Sequence, residues 1–269
     1  MARAPIALTI SSSDSSGGSG VQADVKTFSA LGVYAATAIT AVVAQDTLRT
    51  HRVVAMEPAF VAQQVDAVLS DIGADVMKTG WLVDAGIVEA VAARLAVVDD
   101  LTLVIDPMIV AKDGTRLLDE AGVTALRERL LPLATVVTPN VAEVEALTGR
   151  KLADWNDVRE AAAEIAGLGA KSVVIMGGRR EGRVVTDLLF DGREYRDLAT
   201  DRVPTASTMG TGAAFSAALA ATLAKRESLP HSVASAKAYV TKALQEAYAL
   251  GKGNGPPHHF YRYWRPLIE

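Results

Sequence analysis

The chain has 269 residues, 50% of them hydrophobic and 22% charged, with a net charge of −4. That is ample for a well-buried core, and with no basic run it gives a nucleic-acid partner no electrostatic support, so a small molecule is the expected ligand. The absence of cysteine excludes disulfides, thiolate metal sites and a cysteine nucleophile or base. His51, His231, His258 and His259 show no metal-ligand spacing, and the adjacent pair is expected in a solvated tail. Only a handful of apolar residues precede Ser11, too few for a signal or spanning segment, so the expectation is a cytoplasmic protein with no membrane contact.

In chain order, Ile6 to Ile10 reads as a short apolar strand and Ser11 to Gly20 as a polar loop. A helix follows, with Val21, Val25, Phe28 and Leu31 on one face and Gly32 as its stop. Tyr34 to Ala44 reads as a β-branched strand ending in Gln45-Asp46-Thr47. Ala59 to Ile72 reads as a helix, Asp75 to Thr79 as a strand and Ala85 to Val98 as a helix. Leu101 to Ile105 is a buried strand delivering Asp106 and Pro107 at its C-terminal end. Thr124 to Leu130 is helical, Thr135 to Thr138 is a strand, and Asn140 caps a helix carrying Glu143 and Glu145. Val158 to Leu168 is helical, Ser172 to Met176 is a strand closed by Gly177-Gly178, and two short strands flank the turn at Asp191-Gly192. Helices from Gly212 and Ser232 and a tail of Gly, Pro and aromatic residues complete the chain. Alternating apolar strands and helices predict one α/β domain over residues 1–269, a three-layer α/β/α sandwich with a mostly parallel sheet. Its ligands belong beyond the carboxyl ends of the strands, where the polar and glycine-rich segments fall.

Gly210-Thr211-Gly212 ahead of the Ala-rich run from Ala213 lets backbone approach a ligand and offers it the unpaired N–H groups of a helix start, which suits a phosphate. Asp106 and Glu143 are carboxylates at strand ends, suited to Mg²⁺ held with substrate phosphates. Read singly, each is better explained as an N-cap or a surface helix acid; together with the anion turn they point to the metal. Asp14 and Asp24 flank the first glycine loop, where each is placed to face a substrate, although helix-dipole compensation also explains Asp24. Lys112, in a loop, is placed to meet a phosphate or solvent. A rival exists in Gly18-Ser19-Gly20, a glycine loop between strand and helix with Asp46 after the next strand, as in dinucleotide-binding enzymes. That reading leaves Gly210-Thr211-Gly212 and the Asn140 to Glu143 segment unexplained.

The segments Ser13 to Thr27, Ala44 to Thr47, Asp106 to Lys112, Thr138 to Glu143 and Gly210 to Gly212 together resemble the hydroxymethylpyrimidine and phosphomethylpyrimidine kinases of thiamine biosynthesis, members of the ribokinase-like superfamily. The resemblance runs from about Ile6 to about His259. It implies a ribokinase-like fold, ATP and Mg²⁺ as cofactors, a pyrimidine substrate and a homodimer. Carried over position by position, it implies Asp24 and Gln45 near the pyrimidine, with Gly80, Trp81 and Val110 as its walls. Asp106 and Glu143 would organise Mg²⁺, Lys112, Asn140, Gly177, Gly178 and Arg179 would face ATP, and Gly210, Thr211, Gly212 and Ala213 would form the catalytic anion hole.

Four departures accompany that frame. Where the family reads His-Gly-Thr-Gly-Cys this chain reads Met209-Gly210-Thr211-Gly212-Ala213, so the position thought to supply the base is an alanine. The family's Lys-Gly-Gly-His is Met176-Gly177-Gly178-Arg179, its glycine before Ser-Asp is Ser12, and its methionine after Gly80 is Trp81. Three readings stay open: a working pyrimidine kinase with a lost or relocated base, a kinase for another vitamer such as pyridoxal, and a catalytically impaired pyrimidine- or nucleotide-binding protein.

Overall fold

The computed structural model describes residues 3–111, 114–179 and 182–265. Its strands are β1 (Ile6–Asp14), β2 (Tyr34–Gln45), β3 (Thr50–Ala55), β4 (Val76–Thr79), β5 (Leu103–Ile105), β6 (Val136–Val137), β7 (Val173–Ile175), β8 (Val184–Phe190) and β9 (Tyr195–Asp201). Its α-helices are α1 (Gly20–Ala30), α2 (Pro58–Asp71), α3 (Ala85–Leu95), α4 (Glu120–Ala125), α5 (Val141–Thr148), α6 (Trp155–Gly167), α7 (Thr211–Ala224) and α8 (Leu229–Gln245). All the strands join one sheet in the order β3-β2-β1-β4-β5-β6-β7-β8-β9. The run from β2 to β7 is parallel, while β3, β8 and β9 are antiparallel additions at the two edges.

Strand periodicity builds the layers. Leu103 and Ile105 point into a core with Leu8, Ile10 and Met77 beneath α2 to α6, whereas Val104 between them joins Ala7, Val76 and Val174 beneath α1, α7 and α8. Because both faces are covered, β5, β6 and β7 are apolar at every position, as expected of a parallel sheet in an α/β/α sandwich, while the polar residues of β1 and β4 lie toward the glycine loop and its buried ion pair. Helix α7 is itself the middle of the second layer, with Ala214, Ala217, Ala218, Ala220 and Ala221 buried; their small size lets it lie close to the sheet. Among the described residues no helix is long and apolar enough to cross a membrane.

Four expectations need correction. Ser11 to Asp14 is not loop but the last part of β1, pairing with Ile39, Val42 and Val43 of β2 across an irregularity between Ser11 and Ser13. The serines tolerate burial because their hydroxyls are used: Ser13 Oγ accepts from Gln22 Nε2 at 2.8 Å and Ser11 Oγ from the Trp81 N–H at 3.2 Å. Strand β3 is absent from the pattern reading because all six of its residues are exposed, leaving no inside-outside alternation to detect. His258 and His259, expected in solvent, are 3% and 4% exposed. The His258 ring packs on Tyr248 and Trp264. Helix α4 also starts earlier than expected, at Glu120, and runs into a π turn at Leu126–Leu130.

Candidate active site

The turn that opens α7, the candidate anion site, is built by two glycine segments that meet. Gly210, at φ +70°, is the N-cap of α7, and a Cβ there would collide with the carbonyl oxygen of Gly18. A Cβ on Gly18 would in turn strike the Met209 side chain. The first ladder bond of α7 is Ala214 N–H to Gly210 O at 2.8 Å, and the N–H groups of Gly212 and Ala213 donate to no acceptor among the described residues. Thr211 is turned the other way, its hydroxyl donating to Thr208 O at 2.8 Å. Asp106, at the end of β5 and 2% exposed, stands beside this turn: Ser216 of α7 places its hydroxyl 3.2 Å from Asp106 Oδ2.

Glu143 reaches the same segment from α5. One carboxylate oxygen accepts the Ile109 N–H at 3.2 Å and the other the Asn140 N–H at 3.0 Å, while Asn140 Oδ1 accepts from Ala142 and Glu143, a complete capping box. Among the described residues no three His, Cys, Asp or Glu side chains gather as a metal cage. Asp106 and Glu143 are a donor set suited to a magnesium ion that arrives on nucleotide phosphates, which needs only one or two carboxylates. On the other side of the turn, the Met176 methyl lies 3.6 Å from where a Gly212 Cβ would stand. Gly177 is pressed against the backbone of Thr186 and donates to Asp187 at 2.9 Å, so it serves packing, whereas Gly178 is open. Lys112 and the side chain of Arg179 lie outside what the structure describes. Arg202, which no sequence signal marked, bonds the Gly178 carbonyl at 3.0 Å and the Gly182 carbonyl at 2.7 Å.

At the other end of the site, the ends of β1, β2 and β4 hold the pyrimidine-side candidates. Asp14 is 2% exposed and accepts from the backbone and hydroxyl of both Ser16 and Ser19. It also accepts from Gln45 Nε2 at 3.1 Å, whose Oε1 accepts from Thr50 at 2.6 Å. Gly80 presses on the Ser11 side chain. Trp81 donates its indole N–H to Leu117 O at 2.8 Å and so abuts the hairpin that carries Val110, itself bridged to Arg116. Asp24 does not join them. It is fully buried beneath the loop, bonded to Thr9 at 2.6 Å and to Lys78 Nζ at 2.9 Å, and so presents no surface to a substrate. Burial holds its carboxyl above the ordinary carboxylate range against the opposing pull of Lys78 and Thr9. The rival dinucleotide reading also falls here: Gly20, at φ +58°, is required because its Cα faces the Ser12 carbonyl, and Gly18 because it meets Met209, so these glycines pack protein against protein.

The family described as phosphomethylpyrimidine kinase matches residues 14–258. The chain belongs to that family. The hydroxymethylpyrimidine/phosphomethylpyrimidine kinase of Synechococcus elongatus is 45% identical over 258 residues, covering 96% of this chain and 98% of that protein. The thiamine biosynthesis bifunctional protein ThiED of Geobacter sulfurreducens is 44% identical over 94% of this chain, which spans only 51% of that longer protein. The ADP complex of Bacillus subtilis pyridoxal kinase superposes with a TM-score of 0.89 at 39% identity, covering 96% of this chain and 98% of that one. The architecture is thus the ribokinase-like sandwich, and the chain is a phosphotransferase of the phosphomethylpyrimidine kinase family. Within that family frame the departures acquire places: Ala213 and Met176 both border the anion turn, and Trp81 borders the Val110 hairpin. Met209 fills the gap over Gly18, with Ser16 Oγ 3.4 Å from its sulfur.

Proposed function

We propose that this phosphomethylpyrimidine kinase moves the γ-phosphoryl group of ATP onto hydroxymethylpyrimidine and its monophosphate, and that the monophosphate is the better acceptor. The observation that carries the reading is the start of α7, where two N–H groups have no acceptor among the described residues and Ser216, one turn on, reaches the buried carboxylate of Asp106. In the transfer, the bond from the γ-phosphorus to the β,γ-bridging oxygen breaks, ADP leaves, and an acceptor oxygen bonds to phosphorus. Charge on the transferring group falls within reach of the Gly212 and Ala213 N–H donors, which cost no reorganisation because α7 is held on both sides by the core. Mg²⁺ on the nucleotide phosphates would be met by Asp106 and Glu143 and would neutralise phosphate charge. Asn140, Gly178 and Arg179 would line the nucleotide side, with Lys112 nearby, and Gln45, Gly80, Trp81 and Val110 the pyrimidine side.

Acceptor preference follows from position 213. A hydroxymethyl group must lose a proton, and alanine cannot take it; general-base help is worth roughly 10²–10⁴-fold where it is used. A phosphate monoester is already an anionic nucleophile, so the second transfer needs no such base. The test is mass spectrometry of products after incubation with Mg-ATP and hydroxymethylpyrimidine, its monophosphate or pyridoxal. Diphosphate forming faster than monophosphate is expected. Pyridoxal as the sole acceptor would move the chain to the vitamer reading that the pyridoxal kinase likeness favours, and binding without any transfer would make it a binding protein.

The same reading includes a homodimer in the cytosol, where ATP is supplied. It is supported by the uncovered edge strand β3 and the exposed Val42, Leu48, Val53, Val54 and Phe60 around it. A monomer in sedimentation at micromolar concentration would remove the dimer.

A further inference from the structure

The segment from Leu250 to Pro256 runs as a strap between the β2–β3 turn and the approach to α7. At one end it grips the β2–β3 turn just past Gln45: Lys252 and Gly253 donate to Thr47 Oγ1 at 3.1 and 3.0 Å, and Asn254 N–H to Thr47 O at 2.8 Å. Gly253 admits no Cβ there, because one would strike the Thr47 carbonyl. At the other end it grips the approach to the anion turn. Asn254 Oδ1 accepts both the Thr208 N–H at 2.9 Å and the Thr208 hydroxyl at 3.0 Å, and Gly255 O accepts the Met209 N–H at 2.9 Å. Thr208 O in turn receives the Thr211 hydroxyl, so one side-chain oxygen fixes the peptide that fixes the first residue of α7. Beyond the strap the chain is anchored in the second layer, where His258 N–H donates to Ala243 O at 2.9 Å and Tyr239 donates to His259 O at 2.7 Å.

We infer that Asn254 is a positioning residue for phosphoryl transfer. Its oxygen sets the aim of the Gly212 and Ala213 N–H groups, and the strap keeps that turn in register with the strand end carrying Gln45. The inference rests on the kinase reading for its kinetic consequence only. Asn254→Leu keeps the volume and removes the acceptor; Asn254→Asp keeps the acceptor. In hydrogen exchange without nucleotide, Asn254→Leu is expected to speed exchange over residues 207–213 by about tenfold, the loss of one to two net hydrogen bonds, and Asn254→Asp to restore protection. Turnover of the monophosphate should fall about tenfold in Asn254→Leu, with its KM held. Thr208→Val, which deletes only the hydroxyl partner, should show a smaller effect of the same kind and covers the case in which Asn254→Leu does not fold. Unchanged exchange and unchanged turnover in a variant that merely melts earlier would overturn the inference. Should the wild type transfer no phosphate, the kinase reading fails, while the exchange pattern and ADP binding by calorimetry still decide whether Asn254 positions the turn.

Discussion

The two ends of the candidate site are built on opposite principles. The glycine-loop end is rich in charge, yet it spends that charge on itself: Asp14 gathers Ser16, Ser19 and Gln45, Lys26 holds the Gly17 carbonyl, and Asp24 is locked to Lys78. At the α7 end the backbone donors of Gly212 and Ala213 meet no acceptor among the described residues. The charge of the glycine-loop end is thus spent on internal architecture, whereas the α7 end leaves main-chain donors beside the buried Asp106. The same residue type also means different things at the two ends, since Gly18 makes room for a protein side chain while Gly178 faces open space.

The sharpest way to break this comparison is Lys78→Met. If the Lys78–Asp24 pair is architecture, the variant strands a buried carboxylate and should lose about 3–5 kcal/mol in urea unfolding, whereas the double variant with Asp24→Asn should recover most of that loss. A double variant no more stable than Lys78→Met would show that the pair is not what holds this region. The next effect is read from pH. Burial pushes the His259 imidazole down to about 4, with Lys26 and His258 adding to the shift, from an ordinary value of 6.5. The unfolded chain therefore binds a proton that the folded one refuses. Stability from this group is intact above pH 6.5 and is lost as pH falls toward 4, by about 3 kcal/mol in all. In His259→Phe the decline between pH 7 and 4 should be shallower by that amount, the carboxylate contributions being common to both proteins. Parallel curves would mean that the imidazole is protonated in the folded state.

Much of the fold was legible because period and burial agree. The strands β5, β6 and β7 are apolar throughout, and Asn140 with Glu143 is a capping box written in sequence and found in space. The start of α7 was legible for a similar reason, since Gly-Thr-Gly ahead of an alanine run marks a helix start and Gly210 is its N-cap, although such a turn alone is as readily packing as a phosphate site. What escaped has physical causes. Ser11 to Ser13 look like loop because their burial depends on partners far away, Gln22 and the Trp81 backbone. Asp24 was placed near substrate by resemblance, and only the three-dimensional approach of Thr9 and Lys78 reveals that it is sealed. The tail of Gly, Pro and aromatic residues gave no period at all, so the strap that joins Thr47 to Thr208 was invisible until both ends were seen together.

The smallest expected effect bears on the wall between the two ends. Trp81 is a rigid donor in that wall, its indole N–H bound to Leu117 O at 2.8 Å. Thr40 fixes the same residue from behind, donating to its carbonyl at 2.7 Å, and the turn that follows is held with Val83 at φ +69°. Trp81→Phe keeps an aromatic ring and deletes the donor. If Trp81 acts as a tie to the Val110 hairpin, the variant should lose about 1 kcal/mol of stability in urea unfolding, with the added exchange confined to the described residues of 109–118. If it acts instead as a stacking surface for the substrate ring, the phenylalanine would serve nearly as well in exchange and unfolding, and the change would appear as an altered order of acceptors in the product assay.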